Sequence, residues 1–191
     1  MQRIHLNKEP STEAKLSAFS YQSEAVNAIK ALDYAAIFHE QGLGKSKIAV
    51  DLMLYWFASK QVDTVLLVTK KSLIENWKQE LALHSYLIPK ILTTDKTKNY
   101  YVFNSPARVI LCNFEMVISE NERISLFQKT RATAIIIDES AKIKNPNSSI
   151  TQTLLSLAKG FVKRVIMTGT PIANRPYDIW SQIYFLDNDT L

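Results

Sequence analysis

One cysteine, four glycines and three histidines are a thin supply of the residues that build disulfide frameworks, glycine-rich scaffolds and histidine metal sites. Cys112 has no partner for an internal disulfide, and its place in an apolar run reads as a small buried hydrophobe in a reducing compartment. His5, His39 and His84 are scattered without metal-ligand spacing. No apolar run reaches the roughly 18 residues of a bilayer span, and no secretory leader pattern is present. The sequence therefore predicts a protein of the cytoplasm, nucleoid or nucleus, neither secreted nor membrane-bound. Internal repeats and low-complexity tracts are also missing. Apolar residues are not: they make up 47% of the 191 residues, enough for the core of one ordinary α/β domain. A net charge of +5 leans modestly toward a polyanionic partner.

Two of the few glycines fall in one short segment, His39-Glu40-Gln41-Gly42-Leu43-Gly44-Lys45-Ser46. It lies between an apolar run, Tyr34 to Phe38, and an apolar-periodic one, Ile48 to Phe57. Phosphates need several backbone N–H groups converging on them, and a backbone approaches that closely only where side chains are missing, as at Gly42 and Gly44. The N-terminal end of the following helix, the Lys45 cation and the Ser46 hydroxyl then supply charge and a ligand for Mg²⁺. The strict phosphate-loop pattern asks for glycine where His39 stands, so on this segment alone a glycine-punctuated strand-to-helix turn with a solvated lysine stays open.

Farther along, Ala132 to Glu139 reads as a short β-branched strand ending in two carboxylates. Behind a phosphate loop, Asp138 is placed to hold Mg²⁺ and Glu139 to polarise the water that attacks the γ-phosphate. In isolation the pair could simply cap the next turn. Strands are expected at Ala35–Phe38, Thr64–Thr69, Lys90–Leu92, Arg108–Cys112, Ala134–Asp138 and Arg164–Met167. Helices are expected at Tyr21–Leu32 with Ser20 as cap, and at Lys45–Phe57, Leu73–Leu83, Ile124–Lys129, Ile150–Leu157 and Tyr177–Leu186. Gly160 is expected to end a helix just before a strand. Apolar strands alternating with amphipathic helices predict an α/β fold, a parallel sheet with helices on both faces.

With these elements in order the chain resembles the first RecA-like lobe of superfamily-2 helicases, and within them the Swi/Snf double-stranded DNA translocases. Phe19-Ser20-Tyr21-Gln22 looks like the glutamine motif, which implies that Gln22 reads the adenine edge. Glu40 to Ser46 is similar to the family's Glu-Met-Gly-Leu-Gly-Lys-Thr loop, which routinely lacks the first glycine. This implies that Gln41, Gly42, Leu43, Gly44, Lys45 and Ser46 bind ATP, with Ser46 and Asp138 on Mg²⁺. Ser72 to Glu80 looks like motif Ia, and Asn113-Phe114-Glu115-Met116 resembles the Ser-Tyr-Glu-Met segment. Asp138 to Pro146 matches the Asp-Glu-x-His-x-x-Lys-Asn block, except that Ala141 stands at the histidine, which removes that residue's link to motif III. Thr168-Gly169-Thr170-Pro171-Ile172-Ala173-Asn174, with Asp178, Trp180 and Leu186, resembles motif III and its helix. There Thr168, Gly169 and Thr170 are implied to couple nucleotide to nucleic acid. Taken singly, Asn76-Trp77 could be a surface amide beside a packed indole, and Thr168 to Pro171 a tight turn.

The resemblance implies an ATP-binding lobe, residues 19–191 after an N-terminal arm at 1–18, of a DNA-dependent ATPase that moves along duplex DNA. Glu139 and Lys45 would carry the hydrolysis; Lys70, Lys71, Ser72, Asn76 and Asn113 are the candidates for DNA contact. Lys70 and Lys71 are otherwise solvated charges. Nothing in the sequence resembles the second lobe, which in this family carries the arginine finger, so its partner would come from a longer chain or in trans. Two other readings remain: a nucleotide-dependent DNA-binding module that does not hydrolyse, and the motor part of a restriction or nuclease complex. Thr93 to Tyr101 mixes cations and aromatics as single-strand stacking surfaces do, and is read as a surface loop.

Overall fold

The computed structural model describes residues 9–40, 42–170 and 176–187. Six strands form one sheet: β1 (Tyr34–Ile37), β2 (Thr64–Thr69), β3 (Lys90–Ile91), β4 (Val109–Asn113), β5 (Thr133–Asp138) and β6 (Lys163–Met167). Eight helices are described with them: α1 (Ser20–Ile29), α2 (Lys45–Ala58), α3 (Ile74–His84), α4 (Lys96–Phe103), α5 (Phe114–Ser119), α6 (Asn121–Thr130), α7 (Ser149–Ala158) and α8 (Trp180–Leu186). Short 3₁₀ turns occupy Lys71–Leu73, Ser140–Ile143 and Pro176–Ile179. All pairings are parallel, in the order β1-β6-β5-β2-β4-β3.

The continuous apolar runs of β2 and β5 are buried on both faces because each face has its own helical layer. Val65 and Leu67, with Ala134, Ile136, Val165 and Met167, pack against α1, α2 and α3. Their neighbours Leu66, Val68, Ile135, Ile137 and Ile166 point the other way, onto α5, α6, α7 and α8. The period-2 alternation of a strand thus feeds two cores from one apolar segment. Cys112 is fully buried in the second of these, and burial pushes its thiol far above the usual range.

All six expected strands are present, two local expectations need correction, and a third difference is a helix that was not expected. Ser20 is the first helical residue of α1, not its cap; the cap is Phe19, whose N–H donates to Gln22 Oε1 (2.9 Å). The segment read as a surface loop is the helix α4: Asp95 accepts from the N–H groups of Thr97 (3.0 Å) and Lys98 (3.1 Å). Asn99, fully buried, then ties it down by bonding Thr93 through both ends of its amide and Glu120 through Nδ2. The third is α5, which no periodicity announced because it is under two turns long. Gly160 does follow α7, and its missing Cβ makes room for the Gln128 side chain. Residues 9–18 form neither helix nor strand, but Lys15 N–H donates to His84 O (3.0 Å) and fastens them to the end of α3.

Candidate active site

Every strand runs the same way, so the segments that follow them emerge at one edge of the sheet. In open α/β sheets the crevice beyond the carboxyl ends is where ligands bind. Register fixes relative height: Ile37 and Asp138 both pair with Met167, so the ends of β1, β6 and β5 lie level. At about 4.8 Å per strand, Ile37, the last residue of β1, stands about 10 Å from Asp138.

The loop turns on its glycines. Gly42 and Gly44 have φ of 85° and 69°, left-handed values that side chains disfavour. A Cβ at Gly42 would meet open space, whereas one at Gly44 would strike the Gln22 amide. Gly44 is also the N-cap of α2 with no side chain bonded over it, so the first-turn N–H groups remain available to a ligand. Lys45 folds back onto the carbonyls of His39 (2.8 Å) and Glu40 (3.0 Å). Neutral carbonyls hold an ammonium less strongly than an anion does. Leu43 is exposed, with its carbonyl accepting from the Tyr21 hydroxyl (3.3 Å), and Ser46 is half-buried as the second residue of α2. Nδ1 of His39 is buried with no partner among the described residues. Gln41 lies outside them.

Gln22 sits against this loop. It is buried, accepts from Phe19 N–H, and points Nε2 at Gly44 O at 3.5 Å. Its amide therefore caps α1 and braces the loop, two duties that the sequence did not disclose. Beside it the exposed rings of Phe19 and Tyr21 stack with centroids 5.9 Å apart.

The paired carboxylates occupy different settings. Asp138, buried at the end of β5, accepts at Oδ2 from Trp77 Nε1 (2.8 Å) and Thr69 Oγ1 (3.1 Å), and at Oδ1 from Glu139 N–H (3.0 Å). Burial raises its carboxyl above the ordinary range, while the Trp77 and Thr69 hydrogen bonds pull it down and Glu139 pushes it up again. Glu139 holds a left-handed backbone, φ 60° and ψ 48°, at a cost of about 1–3 kcal/mol. It stays there because its N–H is bonded to Asp138 and its carbonyl accepts from Lys142 N–H (3.0 Å). Its carboxylate faces the Lys70 ammonium at 3.6 Å. A hydroxyl and a carboxylate beside backbone donors and a cation are the hard-donor set that suits a Mg²⁺–nucleotide complex. Among the described residues no three His, Cys, Asp or Glu side chains gather to hold a metal by themselves.

Thr168 is buried after β6, its N–H on Ile37 O (3.3 Å) and its Oγ1 accepting from Thr170 N–H (3.1 Å). With Gly169 between them, this turn is bonded to the last residue of β1, directly before the glycine loop. Residues 171–174 lie outside the described residues. Next to Ala141, the 3₁₀ turn Ser140–Ile143 is tied to α8 by side-chain hydrogen bonds. Ser140 Oγ donates to Gln182 Oε1 (2.7 Å), and Ser181 Oγ bonds the carbonyls of Ile143 (2.6 Å) and Lys144 (2.8 Å). These bonds join α8 to the turn that carries Asp138 and Glu139; two polar residues 42 apart give no sign of it in sequence.

Lys70, Lys71, Ser72 and Asn76 are exposed where β2 passes through a 3₁₀ turn into α3. Asn113 is different: half-buried, it caps α5 by accepting from Met116 N–H (2.9 Å). Trp77 is packed as expected, 1% exposed, but its N–H is what anchors Asp138.

The SNF2-related domain matches residues 21–191. The chain belongs to that family. Relatives of this SNF2-related lobe include the chromatin-remodeling ATPase INO80 of Lodderomyces elongisporus, 28% identical over 182 residues, which cover 83% of the chain and 11% of that protein. An uncharacterized ATP-dependent helicase of Mycoplasma genitalium, MG018, is 31% identical over 174 residues, covering 87% and 16%. The Sulfolobus solfataricus SWI2/SNF2 ATPase core, solved in complex with dsDNA, matches with a TM-score of 0.77 over 97% of the chain and 38% of its own, at 21% identity, and establishes the RecA-like fold. The SNF2-related lobe thus spans between about a tenth and a sixth of those two relatives. No described helix is long and apolar enough to cross a membrane.

Proposed function

We propose that this SNF2-related chain is the ATP-binding lobe of an ATPase that moves along duplex DNA. One observation carries the reading: a left-handed glycine loop with Lys45 and Ser46 stands level with, and about two strand spacings from, a buried aspartate followed by a glutamate. The names of the relatives, an ATPase and an ATP-dependent helicase, and the dsDNA bound by the structural neighbour support ATP and DNA as the two ligands.

In this reading the N–H groups from Gly42 to Lys45 cradle the phosphates, and Lys45 leaves the two loop carbonyls for the β- and γ-phosphates. Gln41 and Leu43 belong to the same loop. Ser46 and Asp138 hold Mg²⁺, which when bound neutralises phosphate charge. Glu139 orients the attacking water and accepts its proton. Gln22, already against the loop, reads the adenine edge by exchanging its contacts with Phe19 N–H and Gly44 O for the base. Thr168, Gly169 and Thr170 pass the state of the site to the nucleic-acid groove, with the Ser140–Gln182 bond standing in for the missing histidine. Lys70, Lys71, Ser72 and Asn76 meet the DNA backbone, and Asn113 lies at the next strand end. A second RecA-like lobe, in the same longer chain or in trans, completes the cleft, and the protein works wherever its DNA is, cytoplasm, nucleoid or nucleus.

The test is ATP turnover by the full-length chain with and without duplex DNA. Turnover stimulated by duplex is expected; binding of Mg·ATP with no turnover in either condition would leave the non-hydrolysing module instead.

A further inference from the structure

The two site carboxylates are held by very different means. Asp138 is fixed by three hydrogen bonds of 2.8 to 3.1 Å from a buried indole, a buried hydroxyl and a backbone N–H. The Glu139 backbone is equally fixed, but among the described residues its carboxylate is engaged by one group, the ammonium of Lys70, at a distance that is an ion pair and not a hydrogen bond. Lys70 has a fixed root and a mobile tip. Its backbone leaves the end of β2, next to Thr69, which is bonded to Asp138, and caps the turn Lys71–Leu73; its side chain is 52% exposed. It is followed by Lys71 and Ser72, both exposed on the same turn. The cation facing Glu139 therefore belongs to the surface proposed to meet DNA phosphates.

We propose that Lys70 is a positioning residue that couples duplex binding to hydrolysis: without DNA it holds the Glu139 carboxylate, and a backbone phosphate draws it away and frees that carboxylate for the attacking water. The inference rests on the proposed ATPase reading. An ammonium on a flexible stem suits the exchange, because it keeps its charge while changing anionic partner. The weakness of the contact is part of the design. An exposed ion pair of this kind is worth little, so the phosphate-rich surface of a duplex can displace it. Linkage requires the effect to be reciprocal: whatever DNA does to the availability of Glu139, Glu139 does to the DNA affinity of Lys70.

The experiment uses the full-length chain, Mg·ATP and a blunt duplex, with two readouts. In the first, Lys70→Gln raises DNA-free kcat about two- to fivefold, leaves KM for ATP unchanged and lowers the stimulation by duplex correspondingly, whereas Lys70→Arg keeps the stimulation. The second needs no turnover. Duplex affinity measured by fluorescence anisotropy rises about two- to fivefold in Glu139→Gln when Lys70 is present, and this gain vanishes in the Lys70→Gln background. A DNA-free kcat that is unchanged or lower in Lys70→Gln overturns the inference, as does an equal gain from Glu139→Gln in both backgrounds. A parent chain that binds duplex without hydrolysing ATP would remove the proposed activity, while the affinity cycle would still decide the Lys70 contact.

Discussion

At the scale of single residues, burial and partners set two adjacent carboxylates apart: Asp138 is held by three hydrogen bonds and Glu139 faces an ammonium, the settings that the proposed roles of Mg²⁺ ligand and base call for. Glu139→Gln keeps size and backbone but cannot take a proton, so turnover should fall by at least about 10²-fold while Mg·ATP-analogue binding stays within about twofold, read by single-turnover kinetics and titration calorimetry. Lys45→Ala removes the proposed charged donor to phosphate and should weaken analogue binding about 10- to 100-fold with the fold intact by circular dichroism, since its partners among the described residues are loop carbonyls. Trp77→Phe has a signed pH consequence. Burial already raises Asp138, and the indole N–H opposes that rise. Without it the carboxyl binds its proton more tightly, so on acidification Mg²⁺-dependent analogue binding should be lost at a higher pH than in the parent. In the apo chain the same raised carboxyl contributes stability at low pH that disappears as pH rises through its folded value, and Trp77→Phe should enlarge that loss. Denaturation midpoints across the acidic range check it; parallel curves would contradict it.

At the scale of elements, caps and left-handed turns decide more than composition does. The tract Thr93 to Tyr101 is rich in threonine, tyrosine and asparagine, which favour helix weakly, yet Asp95 satisfies two first-turn N–H groups and Asn99 buries its amide against β3's exit and α6's cap. Asp95→Ala should cost about 1 kcal/mol of stability, seen as an earlier chemical-denaturation midpoint with an unchanged slope. Gly44→Ala should cost more, about 1–3 kcal/mol, because left-handed backbone strain and collision with Gln22 act together; it should also loosen the phosphate loop.

For the molecule as a whole, the net charge of +5 is too diffuse to name a partner, but its placement makes a salt-dependence statement. Under the proposed two-lobed cleft, one lobe neutralises few phosphates, so this lobe alone should bind duplex weakly and lose affinity as salt rises. Replacing both Lys70 and Lys71 by Gln should weaken binding to every sequence alike and reduce the magnitude of the salt slope by about two, as phosphate contacts without base readout do. Salt-insensitive binding, or an unchanged slope in the double variant, would count against that surface.

Sequence alone determined what depends on local order: six apolar strands, six of the eight described helices, the glycine loop and the Asp-Glu strand end, because periodicity, glycine placement and motif order are properties of neighbours along the chain. It also placed Lys70 and Lys71 on a strand exit. Only the tertiary structure decided which distant groups share an atom. Trp77 and Thr69 converge on Asp138, Lys70 faces Glu139, Gln22 braces Gly44, and Ser140 meets Gln182 across 42 residues. These contacts arise where parallel strands end at the same height, and strand order and register are set by the packing of the whole sheet, which no short stretch of sequence encodes.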